Sequence, residues 1–403
     1  MKLCISGSFG NMDIGDEAML TEDLDFISNV LKISREDICL IGHQPDYMAF
    51  FHSHPRDRCF PSEAVQSNCQ YRSACRRDRA AIFLKSALRA RLPFRRDIKR
   101  IAGECRALLI TGGGTINTRN PEGSSIARMH ALVSYFKNMG KPVFMSGQTI
   151  GPLGLMPRHD EMAREIISAA DVLTVRDSFY SRRYLEVINA EPKELMETCD
   201  DAYALPYKDE ILPPGVQSFL SSGEVAAVNV TTYTSETSSM RVFVAELCER
   251  MVRDLKLKVI LTSHTEKDYF NLMGISDMLD NSAKGAVLLP DTRFWKDKTL
   301  KKMISCCRVA IGGRYHFIVF AGTSNTPFVG MCGNHYSYIK QDGFARAVGL
   351  ENFILSEKDT WNMEVVLGKT REALGTRLDV ESGCQRPSAS MRRFGEWLRS
   401  LEN

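Results

Sequence analysis

Apolar positions along this chain fall into short continuous runs, separated by longer segments in which they recur every three or four residues. The first run, Leu3–Ser6, leads into a Gly-rich turn, and Leu20, Leu24 and Ile27 then follow at helical spacing. Continuous apolar runs are typical of strands buried on both faces of a parallel sheet, whereas the recurring positions are typical of helices with one buried face. The pattern therefore predicts an α/β fold.

The same alternation repeats along the chain on both sides of a loop near the middle. Further strands are predicted at Ile38–Gly42, Ala107–Thr111, Pro142–Ser146, Val172–Val175, Val225–Val230, Val259–Thr262, Ala286–Leu289, Arg308–Ile311 and Pro327–Gly330. Helices are predicted at Ile126–Asn138, Glu161–Ala170, Phe179–Asn189, Met240–Lys256, Arg293–Ile304 and Phe317–Ala321. Between Asp209 and Gly223 the pattern gives way to a loop rich in Pro, Ser and Gly, which predicts a domain boundary.

Strands and helices alternate on both sides of this loop, so we expect two Rossmann-like domains facing a cleft, the GT-B arrangement. The N-terminal domain is predicted to cover residues 1–210 and the C-terminal domain residues 211–403. A final amphipathic helix places Met391, Phe394 and Leu398 on one face. In this architecture such a helix is expected to cross back to the first domain.

A basic insertion at about residues 44–100 interrupts the pattern in the first domain. Between Arg56 and Arg100 there are 13 Lys and Arg residues against 4 Asp and Glu, and no strand is predicted there. Ala80–Leu92 is predicted to be a basic amphipathic helix. One interpretation is a solvated surface insertion, and the other is a patch that meets an anionic lipid-linked substrate or a membrane surface.

Composition narrows the class of protein. The chain has 403 residues, 44% of them hydrophobic and 25% charged, with a net charge of +3, as is typical of a soluble globular protein. No apolar run approaches the length needed to cross a bilayer, and the chain begins directly with a strand, so we predict a cytoplasmic protein without a signal peptide. None of the 12 cysteines forms a Cys-x-x-Cys pair, so neither a disulfide framework nor a zinc site is predicted.

The most informative chemistry follows the strand Arg308–Ile311. Gly312 and Gly313 end this strand, and Arg314 and His316 stand where an apolar helix begins. Ligands of open α/β sheets bind beyond the carboxyl ends of strands, and a helix N-terminus there offers free N–H groups to an anion. The stretch therefore predicts a site for a small, doubly anionic ligand.

Other predicted strands end in polar or glycine residues as well. These further candidates are Asn11, Asp13, Asp16, Gly113, Gly114, Arg176 and Asp201. Each also has a structural interpretation. Asp16 suits the first turn of a helix, Arg176 could pair with Asp177 or Asp201, and the glycines could serve a tight strand-to-helix turn.

Several function classes find no support in the sequence. The first turn is not Gly-x-Gly-x-x-Gly, and neither a Walker A loop nor a Gly-x-Ser-x-Gly elbow is present. The eight histidines are dispersed, and Asp200-Asp201 is the only adjacent carboxylate pair at a predicted strand end. We therefore expect no metal, no cofactor and no nucleic-acid partner.

Six motifs occur together in the order found in one family. They are Gly10-Asn11 with Gly15-Asp16-Glu17-Ala18, Gly112-Gly113-Gly114, Gly147-Gln148-Thr149-Ile150-Gly151-Pro152, Val175-Arg176-Asp177-Ser178, Asp201-Ala202 and Gly313-Arg314-Tyr315-His316. With them, residues 1 to 350 resemble the polysaccharide pyruvyl transferases, including those of colanic-acid type. The resemblance departs in two places, since the first loop has extra residues before Gly15 and the basic insertion is long. Both departures lie in the first domain, where the acceptor is expected, so they leave the acceptor open.

The resemblance implies transfer of pyruvate from phosphoenolpyruvate to a sugar diol of a cell-surface polysaccharide or its lipid-linked precursor, with a ketal formed and phosphate released. On this basis Arg314 and Arg176 would bind the oxyanions, because Arg holds them bidentately where Lys does not. His316 would contact the phosphate and relay a proton, and Asp13, Asp16 or Asp201 would accept one from the attacking hydroxyl. Two alternatives stay open, a GT-B sugar-nucleotide glycosyltransferase and a non-catalytic glycan-binding protein.

Overall fold

A computed structural model describes residues 1–62, 94–118, 124–231, 237–378 and 389–401. The chain forms two compact units. The first unit comprises Met1–Asn11, Met19–Asp201 and Pro387–Asn403, and the second comprises Met12–Ala18 and Ala202–Arg386. The division after Asp201 lies a few residues before the boundary predicted at residue 210. Residues from the two ends of the chain thus belong to one unit.

The strands of the described residues all belong to two sheets. They are β1 (Leu3–Ser6), β2 (Ile38–Gly42), β3 (Cys59–Pro61), β4 (Ala107–Ile110), β5 (Val143–Gln148), β6 (Val172–Val175), β7 (Leu195–Glu197), β8 (Val225–Asn229), β9 (Lys258–Thr262), β10 (Val287–Leu288), β11 (Val309–Gly312), β12 (Phe328–Met331) and β13 (Ile354–Leu355). The first sheet has the order β3-β2-β1-β4-β5-β6-β7, and the second has the order β10-β9-β8-β11-β12-β13. Every pairing is parallel, which confirms the predicted pair of parallel-sheet α/β units.

Helices connect these strands and cover the sheets. They are α1 (Ile14–Asn29), α2 (Pro45–Phe51), α3 (Phe94–Glu104), α4 (Ser124–Asn138), α5 (Pro157–Ala169), α6 (Phe179–Val187), α7 (Pro214–Ser221), α8 (Ser238–Leu255), α9 (Glu266–Met278), α10 (Asn281–Lys284), α11 (Asp297–Ser305), α12 (Tyr315–Thr323), α13 (His335–Ala347), α14 (Met363–Leu374) and α15 (Ala389–Ser400). Parallel strands need such crossover connections. The central strands of both sheets are buried along their whole length, which explains their continuous apolar sequences.

The final helix α15 packs on the first sheet. The Phe394 ring lies 5.2 Å from the Phe144 ring of β5, and the Trp397 ring lies 5.4 Å from it. Arg393 donates two hydrogen bonds, of 2.6 and 2.7 Å, to the carboxylate of Glu194. The predicted amphipathic helix is therefore present, and its apolar face is part of the core of the first unit.

The prediction and the structure differ at β3 and α11, among other elements. A strand was not predicted between Arg56 and Arg100, but Cys59–Pro61 forms the edge strand β3, which three residues are too few to signal. The helix predicted from Arg293 begins at Asp297 instead, and the residues before it form a turn in which Phe294 is 84% exposed.

The predicted basic helix Ala80–Leu92 lies outside the described residues. Among the residues that are described, no helix is both long and apolar enough to span a membrane.

Candidate functional site

Hydrogen bonds from side chains fix the main chain of the turn between β11 and α12, in which Arg314 lies. The Arg314 N–H donates to the Asn229 side chain at 3.2 Å, and Asn229 in turn donates to the carbonyl of Thr262 at 2.8 Å. The carbonyl of Gly313 accepts a hydrogen bond of 2.8 Å from the Gln341 amide. Side chains from the end of β8 and from α13 therefore fix the main chain where α12 begins, and Arg314 is the residue before its first turn.

The guanidinium of Arg314 lies between two carboxylates. Its Nε and Nη2 donate to the two oxygens of Asp268 at 2.9 and 2.8 Å, and Nη2 also reaches the Thr265 hydroxyl at 3.3 Å. Its Nη1 donates to Asp13 Oδ2 at 3.0 Å. Thr265 and Asp268 form a capping box at the start of α9, so the helix end that follows β9 orients the arginine.

The charges of this cluster act on one another. Burial raises the pKa of Asp13, but Arg314 and the surrounding groups outweigh that effect, so the pKa lies below its usual value. For Asp268 burial dominates and raises the pKa, although Arg314 opposes it. Burial lowers the pKa of Arg314, but the two carboxylates reverse that and raise it overall. Arg314 and Asp13 are thus both charged near neutral pH.

Gly15 makes room for His316. A Cβ at Gly15 would lie 2.5 Å from the Cβ of His316 and closer still to its imidazole ring, and no side chain fits there without displacing that ring. Gly15 is the second residue of α1, and its N–H donates to Asp13 Oδ1 at 3.0 Å. The absence of a side chain at Gly15 therefore leaves the space that the His316 ring occupies.

Asp16 has a raised pKa and lies near His316 and Lys340. Burial and the charge of Asp13 raise its pKa to about 6, while His316 and Lys340 oppose this shift. Lys340 lies in α13, and its ammonium stands 4.5 Å from the centre of the Tyr336 ring and 5.3 Å from that of Tyr315. Two carboxylates with pKa values pushed apart, Asp13 below and Asp16 above, are typical of acid–base chemistry.

His264 is a neighbour whose place in this cluster the sequence did not reveal. Its ring stacks on Phe320 at 5.9 Å, and its carbonyl accepts the Ile14 N–H at 3.1 Å, which fastens the start of α1 beside β9. Burial lowers the pKa of His264 to about 3, so the ring is neutral. The sequence shows that His264 follows the predicted strand Val259–Thr262, but nothing in the sequence links this histidine to Arg314.

The structure thus places five of the candidates in the second unit, namely Asp13, Asp16, Gly313, Arg314 and His316. The other five, Asn11, Gly113, Gly114, Arg176 and Asp201, belong to the first unit.

Asp201 accepts hydrogen bonds from strand β5 and from the loop after β4, both in the first unit. Its Oδ1 accepts from the Ser146 hydroxyl at 2.8 Å, and its Oδ2 accepts from the Gly112 N–H at 3.0 Å. Ser146 also bonds at 2.6 Å to Ser390, which joins α15 to the same network. Burial and the charge of Asp200 raise the pKa of Asp201 to about 7. Both oxygens of the Asp201 carboxylate are therefore used in hydrogen bonds within the first unit.

Arg176 is buried in an ion pair. Its Nη1 donates to Asp200 at 2.5 Å and its Nε donates to the Thr149 hydroxyl at 2.8 Å. The sequence offered Asp177 and Asp201 as partners, but the partner is Asp200, while Asp177 caps α6 by accepting from Ser181 and Tyr180. Its role in binding a ligand remains a prediction.

The remaining candidates lie in loops. Asn11 is exposed. The carbonyl of Gly113 accepts the Thr149 N–H at 2.7 Å, and the carbonyl of Gly114 accepts the Asn117 amide. A Cβ at Gly113 would come no closer than 3.8 Å to another residue, so packing alone does not require glycine there.

A buried carboxylate of the first unit yields a prediction about stability. Asp23 of α1 is fully buried beside Thr111, and neither of its oxygens makes a hydrogen bond of normal geometry among the described residues. Burial and the charge of Asp201 raise its pKa. A folded-state pKa above the unfolded one means that stability is lost as pH rises. We therefore expect Asp23→Asn to stabilise the protein by roughly 1–3 kcal/mol at pH 8, and by less at pH 5.

Urea unfolding at the two pH values measures this effect. Asp25→Asn, two residues along the same helix, is the control, because Asp25 is paired with Arg35 at 3.0 Å. A destabilised Asp23→Asn protein at pH 8 would show that the buried carboxylate has a stabilising partner.

Metal ligands are not clustered in the described part of the chain. Within it, no group of three or more His, Cys, Asp or Glu residues is arranged to hold a metal ion.

Comparison with known proteins identifies relatives of two kinds. A family model described as polysaccharide pyruvyl transferase matches residues 55–336. A search of curated protein sequences returns no significant match. Among solved structures, the UDP-GlcNAc 2-epimerase of Methanocaldococcus jannaschii is similar with a TM-score of 0.61 and 11% identity, over 98% of this chain and 100% of that one.

Two further epimerase structures give the same picture. The UDP-N-acetylglucosamine 2-epimerase of Rickettsia bellii has a TM-score of 0.59 and 11% identity, over 100% of this chain and 97% of that one. The Neisseria meningitidis enzyme, bound to UDP-GlcNAc, has a TM-score of 0.55 and 10% identity, over 99% and 100%. At such identities the likeness shows the fold alone, and it agrees with the predicted GT-B-like class.

Proposed function

Because this chain belongs to the polysaccharide pyruvyl transferase family, we propose that it transfers a pyruvyl group from phosphoenolpyruvate to two hydroxyls of one sugar. The acceptor would be a cell-surface polysaccharide or its lipid-linked precursor. The product would be a cyclic ketal, and phosphate would be released. No cofactor enters this scheme.

The observation that carries the proposal is the cluster around Arg314 at the start of α12. A guanidinium oriented by Asp268, a histidine seated against Gly15 and two carboxylates of unequal pKa stand at the carboxyl ends of β9 and β11. Phosphoenolpyruvate carries a phosphate and a carboxylate, which suit an arginine and a helix N-terminus.

The reaction requires two protons to change place. A proton added to the methylene carbon of phosphoenolpyruvate leaves a cationic centre at the next carbon, and one sugar hydroxyl attacks that centre. The bond from this carbon to the phosphate oxygen breaks, and the second hydroxyl closes the ketal. Together the two hydroxyls lose two protons. One of them replaces the proton that was added to the methylene carbon, and the other leaves with phosphate.

These steps can be assigned to named groups. Arg314 would hold an oxyanion of the donor, and His316 would contact the phosphate and relay a proton, a role worth roughly 10²–10⁴-fold in rate. Asp16 and Asp13 are the candidates to accept a proton from an attacking hydroxyl. Asp201 is less suited to that task, because both of its oxygens already accept hydrogen bonds within the first unit.

A pH profile tests the part given to Asp16. With a pKa of about 6 in the free protein, its carboxylate form predominates above pH 6, so kcat/KM should rise with pH through this value if Asp16 is the base. In Asp16→Asn we expect kcat to fall about 10²-fold and the limb near pH 6 to disappear. If that limb persists in the variant, another group is the base.

A product assay tests the function as a whole. Phosphate release is measured with phosphoenolpyruvate and a panel of free glycans and lipid-linked sugars, and the ketal is sought by mass spectrometry. Phosphate released only when an acceptor is present would support the proposal. Release of nucleotide from a sugar nucleotide would instead favour the glycosyltransferase, and turnover with neither donor would favour the glycan-binding protein.

The proposal also covers where in the cell the enzyme acts. We expect the enzyme to work in the cytoplasm and to meet lipid-linked acceptors at the membrane surface through the basic residues 56–100.

A further inference from the structure

Arg314 is engaged by this protein's own acidic side chains. Three of its hydrogen bonds go to the carboxylates of Asp268 and Asp13, and a fourth goes to the Thr265 hydroxyl. An oxyanion that binds Arg314 through two N–H groups therefore has to compete with a carboxylate. The two carboxylates are not equivalent competitors.

Asp268 is the permanent partner. Its side chain is 0% exposed, it pairs with Arg314 in bidentate fashion, and it accepts a further hydrogen bond from the Thr265 N–H at 3.2 Å. Leaving this position would strand a buried carboxylate and uncap α9, which makes exchange with a ligand costly.

Asp13 is the exchangeable partner. It offers Arg314 a single hydrogen bond of 3.0 Å, and its side chain is 17% exposed, beside an arginine side chain that is 24% exposed. Asp13 precedes α1, and rotation of its side chain would break one further hydrogen bond, the one of 3.0 Å that it accepts from the Gly15 N–H. Asp268 would lose its bidentate contact as well as its cap, so Asp13 is the less firmly held of the two. Of the two carboxylates on this guanidinium, Asp13 is thus the one that solvent reaches.

We infer that the carboxylate of Asp13 occupies the position of a donor oxyanion on Arg314, and that Asp13 has to be displaced before the donor binds. Because it is tethered beside its target, Asp13 competes at a high effective concentration, which a free monoanion at millimolar concentration does not match. An anion with two negative charges gains a second contact at the start of α12 and can displace it. Asp13 is therefore a residue that determines donor specificity.

Displacement also has a chemical use. Once removed from Arg314, the Asp13 carboxylate regains oxygen lone pairs that can accept a proton from a hydroxyl. Binding of the donor would then be coupled to release of a base. This inference rests on the proposed function only for the identity of the donor, because competition at Arg314 applies to any oxyanion that binds there.

Titration with inorganic phosphate measures the competition without any turnover. Isothermal titration calorimetry gives the Kd of phosphate for the wild-type protein and for Asp13→Asn. The apparent affinity of a site is reduced by the fraction of molecules in which it is blocked, so we expect the variant to bind phosphate about tenfold more tightly. Unchanged or weaker binding by a folded Asp13→Asn protein would overturn the inference.

Two matched variants separate competition from general charge effects. Asp16→Asn removes the same charge three residues away without removing a hydrogen bond to Arg314, so its gain in affinity should be clearly smaller. Asp13→Glu keeps a competing carboxylate, so its phosphate Kd should stay near that of the wild type. Equal gains in phosphate affinity in Asp13→Asn and Asp16→Asn would show that Asp13 acts only through its negative charge, and would overturn direct competition at Arg314.

A kinetic comparison links this result to catalysis. If phosphoenolpyruvate is the donor, Asp13→Asn should lower its KM and also lower kcat. Tighter phosphate binding by Asp13→Asn, together with no turnover of phosphoenolpyruvate by the wild-type protein, would uphold the competition and contradict the proposed donor. Turnover of phosphoenolpyruvate by the wild-type protein, together with unchanged phosphate binding by Asp13→Asn, would uphold the donor and overturn the competition.

Discussion

Arg314→Lys should lower kcat/KM for phosphoenolpyruvate on the order of 10²–10³-fold while the protein stays folded. Arg314 spans Asp268, Thr265 and Asp13 with a planar guanidinium, and a lysine ammonium cannot hold a bidentate carboxylate and a ligand oxyanion in the same geometry. Phosphate release gives the rate, and circular dichroism with thermal unfolding verifies the fold.

Arg293→Lys is a matched control for this substitution. Arg293 belongs to the same unit and also forms a bidentate pair, with hydrogen bonds of 2.8 and 2.6 Å to Asp291. It lies in the turn before α11 rather than at the start of α12, so we expect activity within about twofold of the wild type, as for surface ion pairs generally. Wild-type turnover by Arg314→Lys would remove Arg314 from the donor site.

Gly15→Ala should reduce activity about 10²-fold or more through His316, although the change adds one methyl group. The new Cβ would overlap the imidazole, so the ring would have to leave its position. The backbone of Gly15 does not have a positive φ, so alanine itself fits the helix and the effect is steric. Because His316 would be displaced in free and bound enzyme alike, we expect kcat to fall more than KM rises.

Gly368→Ala provides the comparison, because Gly368 lies within α14 and a Cβ there would meet nothing within 4 Å. Alanine is the better helix former, so this variant should keep full activity and gain up to about 1 kcal/mol of stability. Full activity in Gly15→Ala would mean that the position of His316 does not matter for the reaction.

Much of the fold could be predicted from sequence because both faces of a parallel sheet are buried. Strands such as β4 and β11 are continuous apolar runs, and they were predicted to within about one residue at each end. The strands that were missed, β3, β7 and β13, are all edge strands of only two or three residues. Strands of two or three residues are too short to carry a periodic signal.

The candidate site was predictable only in part, for a related reason. Arg314 and His316 interrupt an apolar stretch next to glycines, which is a local signal. Asp268 is 46 residues from Arg314, and the pattern Thr265-x-x-Asp268 indicates only the start of a helix. Its second use, holding an arginine, depends on β9 and β11 both lying beside β8, which the sequence does not state.

The composition of the first unit from both ends of the chain has a consequence for synthesis on the ribosome. Phe394 and Trp397, which pack on Phe144 of β5, are translated about 250 residues after it, once the second unit has been made. Domains usually fold as they emerge, N-terminal first. Here the first unit cannot be completed until the second has been made, so the face of β5 that carries Phe144 lacks the cover of α15 while the second unit is translated. Chaperones that bind nascent chains have a defined target in that face.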